Sequence, residues 1–277
     1  MRDNNLLAQY GLKFNPFLPS VPPESLWKLP GVDSFFFGVE NLVIEGGFGA
    51  ISGDPGLGKS RTLHRLAMHL AGLPEIVVGV MERPQSSLGD FYRELGGVFA
   101  VELSPANRYG GFKALRNRWR SHIKSTLFRP VLLVDEAQEM ATGCLNELRL
   151  LGSAQFDSEI LLTTILCGDN RLTNRFRTPE LLPLGSRIRS RLALTPLSVP
   201  DLLAFLDHIL VQAGAPHLVT DPLRRALADH SAGNLRVLTG MGAELLAVAA
   251  ARGLPQLDEK LFLEHYAQAP AARRRSP

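Results

Sequence analysis

An α/β fold, in which a parallel sheet lies between helices and a small all-helical region follows, is predicted by three features of this sequence. The first is Gly53-Asp54-Pro55-Gly56-Leu57-Gly58-Lys59-Ser60, which satisfies Gly-x-x-x-x-Gly-Lys-Ser/Thr. It sits between an apolar stretch, Phe48 to Ser52, and a segment with Leu63, Leu66, Ala67 and Leu70 at helical spacing. The second is Val131-Leu132-Leu133-Val134-Asp135-Glu136, an apolar run closed by two acids, as a fully buried parallel strand reads. The third is the alternation of apolar runs with helical periodicity as far as Thr195, after which only helical spacing continues.

In order along the chain, residues 1–45 form a lead-in expected to pack on the core. It has a short helical start, then Phe14-Asn15-Pro16-Phe17 and an extended connection through Pro19, Pro22, Pro23 and Pro30. Residues 46–196 form the sheet domain, with strands expected at 48–52, 76–82, 131–135, 160–167 and 192–195. Its helices are expected at 60–71, near 87–97, at 111–127 and at 143–154. Residues 197–267 form the helical domain, with apolar spacing over 198–213, 220–230, 234–251 and 257–267. Residues 268–277, ending in Arg273-Arg274-Arg275-Ser276-Pro277, read as a basic disordered tail.

A glycine-rich loop between strand and helix lets backbone N–H groups curl around phosphates, and the helix N-terminus adds positive potential. Residues Gly53, Asp54, Pro55, Gly56, Leu57, Gly58, Lys59, Ser60 and Arg61 are therefore read as a nucleotide triphosphate site. Lys59 would reach the β- and γ-phosphates, and the Ser60 hydroxyl would ligate Mg²⁺. In open α/β sheets ligands gather at the carboxyl ends of the strands, where Asp135 and Glu136 fall. Asp135 would hold the metal and Glu136 would orient and deprotonate the attacking water, so hydrolysis of ATP is expected.

With 277 residues, 45% hydrophobic and 21% charged, the chain can bury one large core and one smaller one. No apolar run approaches the ~20 residues of a membrane span, and Met1-Arg2-Asp3-Asn4-Asn5 lacks the build of a secretory leader, so a cytoplasmic address is expected. Cys144 and Cys167 fit reduced core positions better than a disulfide. The net charge is only +3, yet Arg108, Lys113, Arg116, Arg118, Arg120, Lys124 and Arg129 fall in a stretch without Asp or Glu. Over 111–127 Phe112, Leu115, Trp119, Ile123 and Leu127 form an apolar stripe beside a basic one, Lys113, Arg116, Arg120 and Lys124. The basic stripe is read as a DNA-binding face that meets phosphates without reading bases. The loop Glu82 to Ser87 is a further candidate contact.

Other motifs make the chain similar to the AAA+ ATPases, so the expected fold is a P-loop AAA+ parallel sheet sandwiched by helices, with a small all-helical lid. Ser186-Arg187-Ile188, followed by Arg189, Arg191, Leu194 and Pro196, resembles the segment that carries the family's arginine finger before the last strand. Arg187 is the expected finger, with Arg189 and Arg191 as rivals. Gly233-Asn234-Leu235-Arg236 resembles sensor 2, which assigns Arg236 to the phosphates. Sensor 1 falls in Cys167-Gly168-Asp169-Asn170, with both Asp169 and Asn170 open. Leu12 to Phe17 resembles an element that packs near adenine, although its phenylalanines could equally anchor the lead-in.

The lead-in, Asp135-Glu136-Ala137-Gln138 and the Gly-Asn-x-Arg motif are similar to a bacterial branch holding ExeA-type secretion ATPases and the transposition helpers TniB and Mu B. An ExeA-type chain continues past its lid into a membrane span and a further domain that this sequence does not include. The resulting expectation is the DNA-associated reading: a ring or filament homo-oligomer that binds duplex DNA non-specifically with ATP and Mg²⁺, and regulates transposition with a transposase partner. The alternatives are an ExeA-like assembly ATPase without nucleic acid and a nucleotide-gated signalling switch.

Overall fold

The computed structural model describes residues 2–83, 87–102, 107–156 and 158–267. The expected disordered tail lies outside the described residues, as do Pro84, Gln85 and Ser86 of the candidate contact loop. The elements in chain order are α1 (Arg2–Tyr10), α2 (Val32–Glu45), β1 (Gly47–Gly53), α3 (Lys59–Ala71), β2 (Val78–Met81), α4 (Leu88–Val98) and α5 (Arg108–Thr126). There follow β3 (Val131–Val134), α6 (Thr142–Gly152), β4 (Ser153–Ala154), β5 (Glu159–Ile160), β6 (Thr163–Gly168), α7 (Asn170–Arg175), α8 (Leu182–Gly185) and β7 (Ile188–Leu194). The chain closes with α9 (Val199–Gln212), α10 (Asp221–His230), α11 (Leu235–Arg252) and α12 (Glu259–Ala267).

These elements form two compact units, Lys28–Leu194 and a second composed of Met1–Trp27 with Thr195–Pro277. In the first, five strands pair in parallel in the order β2-β3-β6-β1-β7, flanked by helices. Every residue of β3 and β6 is buried, which is why β3 reads as an unbroken apolar run, while β6 opens with two buried threonines, Thr163 and Thr164. The core beside them holds Phe91, Leu95, Trp119, Leu145 and Leu148.

Several boundaries differ from the expectation for physical reasons. The stretch 160–167 is divided: Glu159–Ile160 pairs antiparallel with Ser153–Ala154, and only Thr163–Gly168 joins the main sheet. Strand β7 begins at Ile188 instead of residue 192, because it is an edge strand that buries Ile188, Leu192 and Leu194 and exposes Arg189, Arg191 and Ala193. Helix α2 replaces the last part of the expected lead-in, burying Val32, Phe35, Phe36, Val39, Leu42 and Val43 at helical spacing.

The lead-in therefore divides at Trp27 instead of packing on the sheet domain as one piece. Its first part belongs to the helical unit because Leu12, Phe17 and Val21 are buried with Phe205, Leu206, Leu238 and Leu246. The Phe17 ring lies where any side chain at Gly242 would go, a Cβ there falling 2.5 Å from it. Of the two readings of Phe14-Asn15-Pro16-Phe17, the anchor describes Phe17; Asn15 Oδ1 fixes the turn by accepting from the Phe17 N–H at 3.0 Å.

Candidate functional site

The phosphate loop leaves β1 at Gly53 and enters α3 at Lys59. Gly53, Gly56 and Gly58 have φ of +152°, +89° and +96°, values that suit glycine, so the motif's spacing is a backbone requirement. At Gly53 there is a second reason: a Cβ would lie 2.6 Å from the Leu194 carbonyl oxygen of β7. Lys59 is buried, and its ammonium donates to the Asp54 carbonyl oxygen at 3.0 Å, within the loop whose phosphates it would bind. Ser60 and Asp54 are exposed.

Sheet order brings the acids to this loop. β3 neighbours β6 and β6 neighbours β1, with Val134 opposite Leu166 and Leu166 opposite Ala50, so Asp135, just after β3, comes within two residues of the level at which the loop leaves β1. Behind it the buried Cys167 thiol is pushed up by burial and then by the Asp135 carboxylate, and stays protonated. The Ser60 hydroxyl and Asp135 carboxylate are hard oxygen donors, a set that fits Mg²⁺, which keeps several waters and binds through few protein ligands plus phosphate. Among the described residues no cluster of three or more His, Cys, Asp or Glu could hold a metal by itself.

Glu136 takes a left-handed backbone, φ +49° and ψ +36°, a conformation that costs a non-glycine residue about 1–3 kcal/mol. Two contacts hold it: its N–H donates to Asp135 Oδ1 at 2.9 Å, and its carboxylate accepts from the Gln138 amide. The other end of that amide, Gln138 Oε1, accepts from the Asp169 N–H at 3.1 Å. A buried glutamine thus ties the end of β3 to the end of β6. Gly168 makes room for it, since a Cβ there would lie 2.4 Å from Gln138 Oε1. In the sequence Gln138 stands out only within a family motif, its amide two residues after the acid being the available signal.

The two sensor 1 candidates separate by geometry. Asp169 caps α7, accepting from the Arg171 N–H at 2.9 Å, and pairs with the Arg171 guanidinium, whose hydrogen bond holds the carboxyl below the usual carboxylate range. Asn170 instead donates from Nδ2 to Asp54 Oδ1 at 2.5 Å, which joins β6 to the phosphate loop.

Arg187 lies at the other end of the sheet. It directly precedes β7, whose Ile188 pairs with Phe48, whereas the phosphate loop leaves β1 beyond Gly53, which pairs with Leu194. From Phe48 to Gly53 the strand rises about 16 Å at 3.3 Å per residue. The Arg187 guanidinium donates to the Pro183 carbonyl, Arg191 donates to that of Gly185 at 3.0 Å, and Arg189 pairs with Glu45 at 2.5 Å. In the helical unit Asn234 caps α11 by accepting from the N–H groups of Arg236 and Val237, at 3.0 and 3.2 Å, and leaves the Arg236 side chain exposed in the first turn.

The basic stripe on α5 is only half as expected. Lys113 and Lys124 are exposed, but Arg116 donates to the Ser153 carbonyl at 2.6 Å and Arg120 pairs with Glu159 at 2.8 Å. Both arginines turn toward the β4–β5 hairpin, whose place in the fold the sequence did not reveal. Leu127 also departs from the apolar stripe: it ends the helix at φ +67° and is 74% exposed.

Residues 44–176 match the family model described as an AAA domain. The chain is 30% identical over 212 residues to the general secretion pathway protein A of Aeromonas hydrophila, a match that spans 75% of the chain and only 38% of that relative. In fold it is similar to the ADP form of the Aeropyrum pernix ORC2 protein, at TM-score 0.69 and 16% identity, over 91% of this chain and 72% of that one. The Drosophila ORC bound to DNA matches at TM-score 0.68 and 16% identity, over 96% of this chain and 67% of that one. Among the described residues no helix is long and apolar enough to cross a membrane. Residues 44–176 thus match an AAA domain, and the sheet with its flanking helices has the P-loop AAA+ fold.

Proposed function

We propose that this protein is an ATP-hydrolysing switch that works as a homo-oligomer on duplex DNA and regulates transposition together with a recombinase. The observation that carries the ATPase is the convergence of Lys59, Ser60, Asp135 and Glu136 at one edge of the sheet. In this reading the loop N–H groups and Lys59 hold the triphosphate and Ser60 and Asp135 hold Mg²⁺, which neutralises charge on the phosphate oxygens. Glu136 takes the proton from water, with one oxygen of its carboxylate held by the Gln138 amide. Asn170 acts as sensor 1, because it already contacts the loop. Arg187 serves a neighbouring subunit, being at the far end of its own sheet, and Arg236 reports nucleotide state to the helical unit.

Support for DNA comes from Lys113 and Lys124, which are free to meet phosphates, and from fold neighbours one of which is a DNA complex. A second reading, an assembly ATPase acting on a secretion partner without nucleic acid, is favoured by the similarity to the general secretion pathway protein. One experiment separates them: phosphate release and particle size with and without duplex DNA, across a salt series, with Glu136→Gln as the trapped control. ATP-dependent assembly on DNA that weakens with salt is the expected result. An ATPase indifferent to DNA at low salt moves the assignment to the secretion reading, and no Mg²⁺-dependent hydrolysis under any condition overturns both.

A further inference from the structure

Helix α5, the end of α6 and the β4–β5 turn enclose a groove of about 720 Å³, within the ~300–1,000 Å³ of clefts that bury ligands. It takes no part in the nucleotide chemistry. Phe156, fully exposed, and Tyr109, 77% exposed, stand on its walls. Phe156 is presented by two successive left-handed residues, Gln155 at φ +49° and Phe156 itself at φ +57°, a strained turn that leaves a large ring in water.

Three guanidinium groups share the groove with these rings. Arg108 is neutralised by the buried Glu147 carboxylate, which also accepts from the Tyr92 hydroxyl at 2.5 Å. Arg116 lies 4.8 Å from the centre of the Phe112 ring and donates only to a neutral carbonyl, and the buried Arg149 Nε has no acceptor among the described residues. Among the described residues neither Arg116 nor Arg149 has a carboxylate hydrogen-bonded to it, and the one acid in the lining, Glu147, is taken up by Arg108. Such charges set among apolar surfaces suit carboxylates, which a guanidinium binds with two parallel hydrogen bonds. A nucleic-acid backbone suits them less, because the charges are few and recessed and an acid lines the floor.

We propose that this groove docks a short acidic segment of a protein partner, with an apolar or aromatic side chain between Tyr109 and Phe156 and flanking carboxylates on Arg116 and Arg149. The inference stands apart from the ATPase reading, since none of these residues touches the nucleotide site.

The test is selection of a displayed library of short random peptides on the full-length protein, followed by fluorescence anisotropy of the enriched peptides. Wild type is compared with Phe156→Ser, Tyr109→Ala, Arg149→Glu and, as a control outside the groove, the exposed Arg225→Ala, each checked for unchanged thermal unfolding. The expected result is enrichment of peptides that combine Asp or Glu with aromatic or aliphatic residues. Their binding is expected to weaken roughly tenfold or more in the three groove variants and not in the control. Enrichment of basic peptides, binding indifferent to the groove variants, or no enrichment at all would overturn the proposal. Loss of fluorescent oligothymidylate binding in the groove variants, with peptides unaffected, would also overturn it and assign the groove to nucleic acid.

Discussion

At the carboxyl edge of the sheet Lys59, Asp135, Glu136 and Asn170 come from three separate strand ends and gather around one loop. Along α5 Lys113, Arg116, Arg120 and Lys124 come from a single helix, yet two of them turn away to Ser153 and Glu159. The edge is shaped by hydrogen bonds between strands, so chemical residues there have fixed neighbours. The helix face is shaped by whatever packs beside it, and a hairpin two residues deep on each side was enough to engage half of its basic groups. Charge in a motif tied to backbone geometry is a better guide to a site than charge spaced along a helix.

Substitutions can break that contrast or sharpen it. The largest expected effect is at the edge: Lys59→Ala abolishes ATP binding measured by calorimetry. Arg187→Ala lowers hydrolysis by the assembled protein on the order of 10³-fold with binding retained; if turnover is intact, the finger moves to Arg191. Glu136→Gln lowers phosphate release by roughly 10²-fold or more while ATP-dependent assembly persists, and normal turnover would remove it as the base. On α5 the effects are smaller and of another kind. Lys113→Ala and Lys124→Ala each reduce the slope of log DNA affinity against log salt by about 0.9, whereas Arg120→Ala changes that slope little.

The smallest effect is on stability. Loss of the half-exposed Arg120–Glu159 pair costs at most ~1 kcal/mol in a denaturation series. Its pH dependence has a defined sign. The Arg120 hydrogen bond holds the Glu159 carboxyl below its ordinary value, so the contribution is present above about pH 4.3 and is lost as pH falls through the lower folded value. Wild type and Arg120→Ala should therefore converge in stability in acid, and a constant difference down to that range would show that the pair is not responsible.

The legible parts of the fold were those with one repeating signal. β3 is buried on both faces and reads as apolar throughout, and α9 to α11 carry helical spacing with Ser198 and Asn234 as caps that accept from their first turns. Helix α2 carried as clear a stripe, between Gly31 and Gly46, but followed a proline-rich connection whose extended character was carried too far. β7 was half read because an edge strand alternates, and the β4–β5 pair is too short for any period. At the site the loop and acids were legible because their spacing is local. The Gln138 link joins positions 31 apart, and the choice of Asn170 as the residue that contacts Asp54 depends on a contact 116 residues away. One sequence shows the Gln138 amide two residues after the acid but neither of the partners that these contacts reach.

On the proposed role of Arg187 as a finger given to a neighbouring copy, its placement beside Phe48, with the phosphate loop beyond Gly53, also bears on how specific activity would scale with assembly. A contact that joins the start of β7 in one copy to the loop edge of the next is head-to-tail, so it closes into a ring or propagates as a filament. In an open filament of n copies one terminal site always lacks its donor, and activity per subunit grows as (n − 1)/n. In a ring every site is complete, and activity per subunit is independent of size.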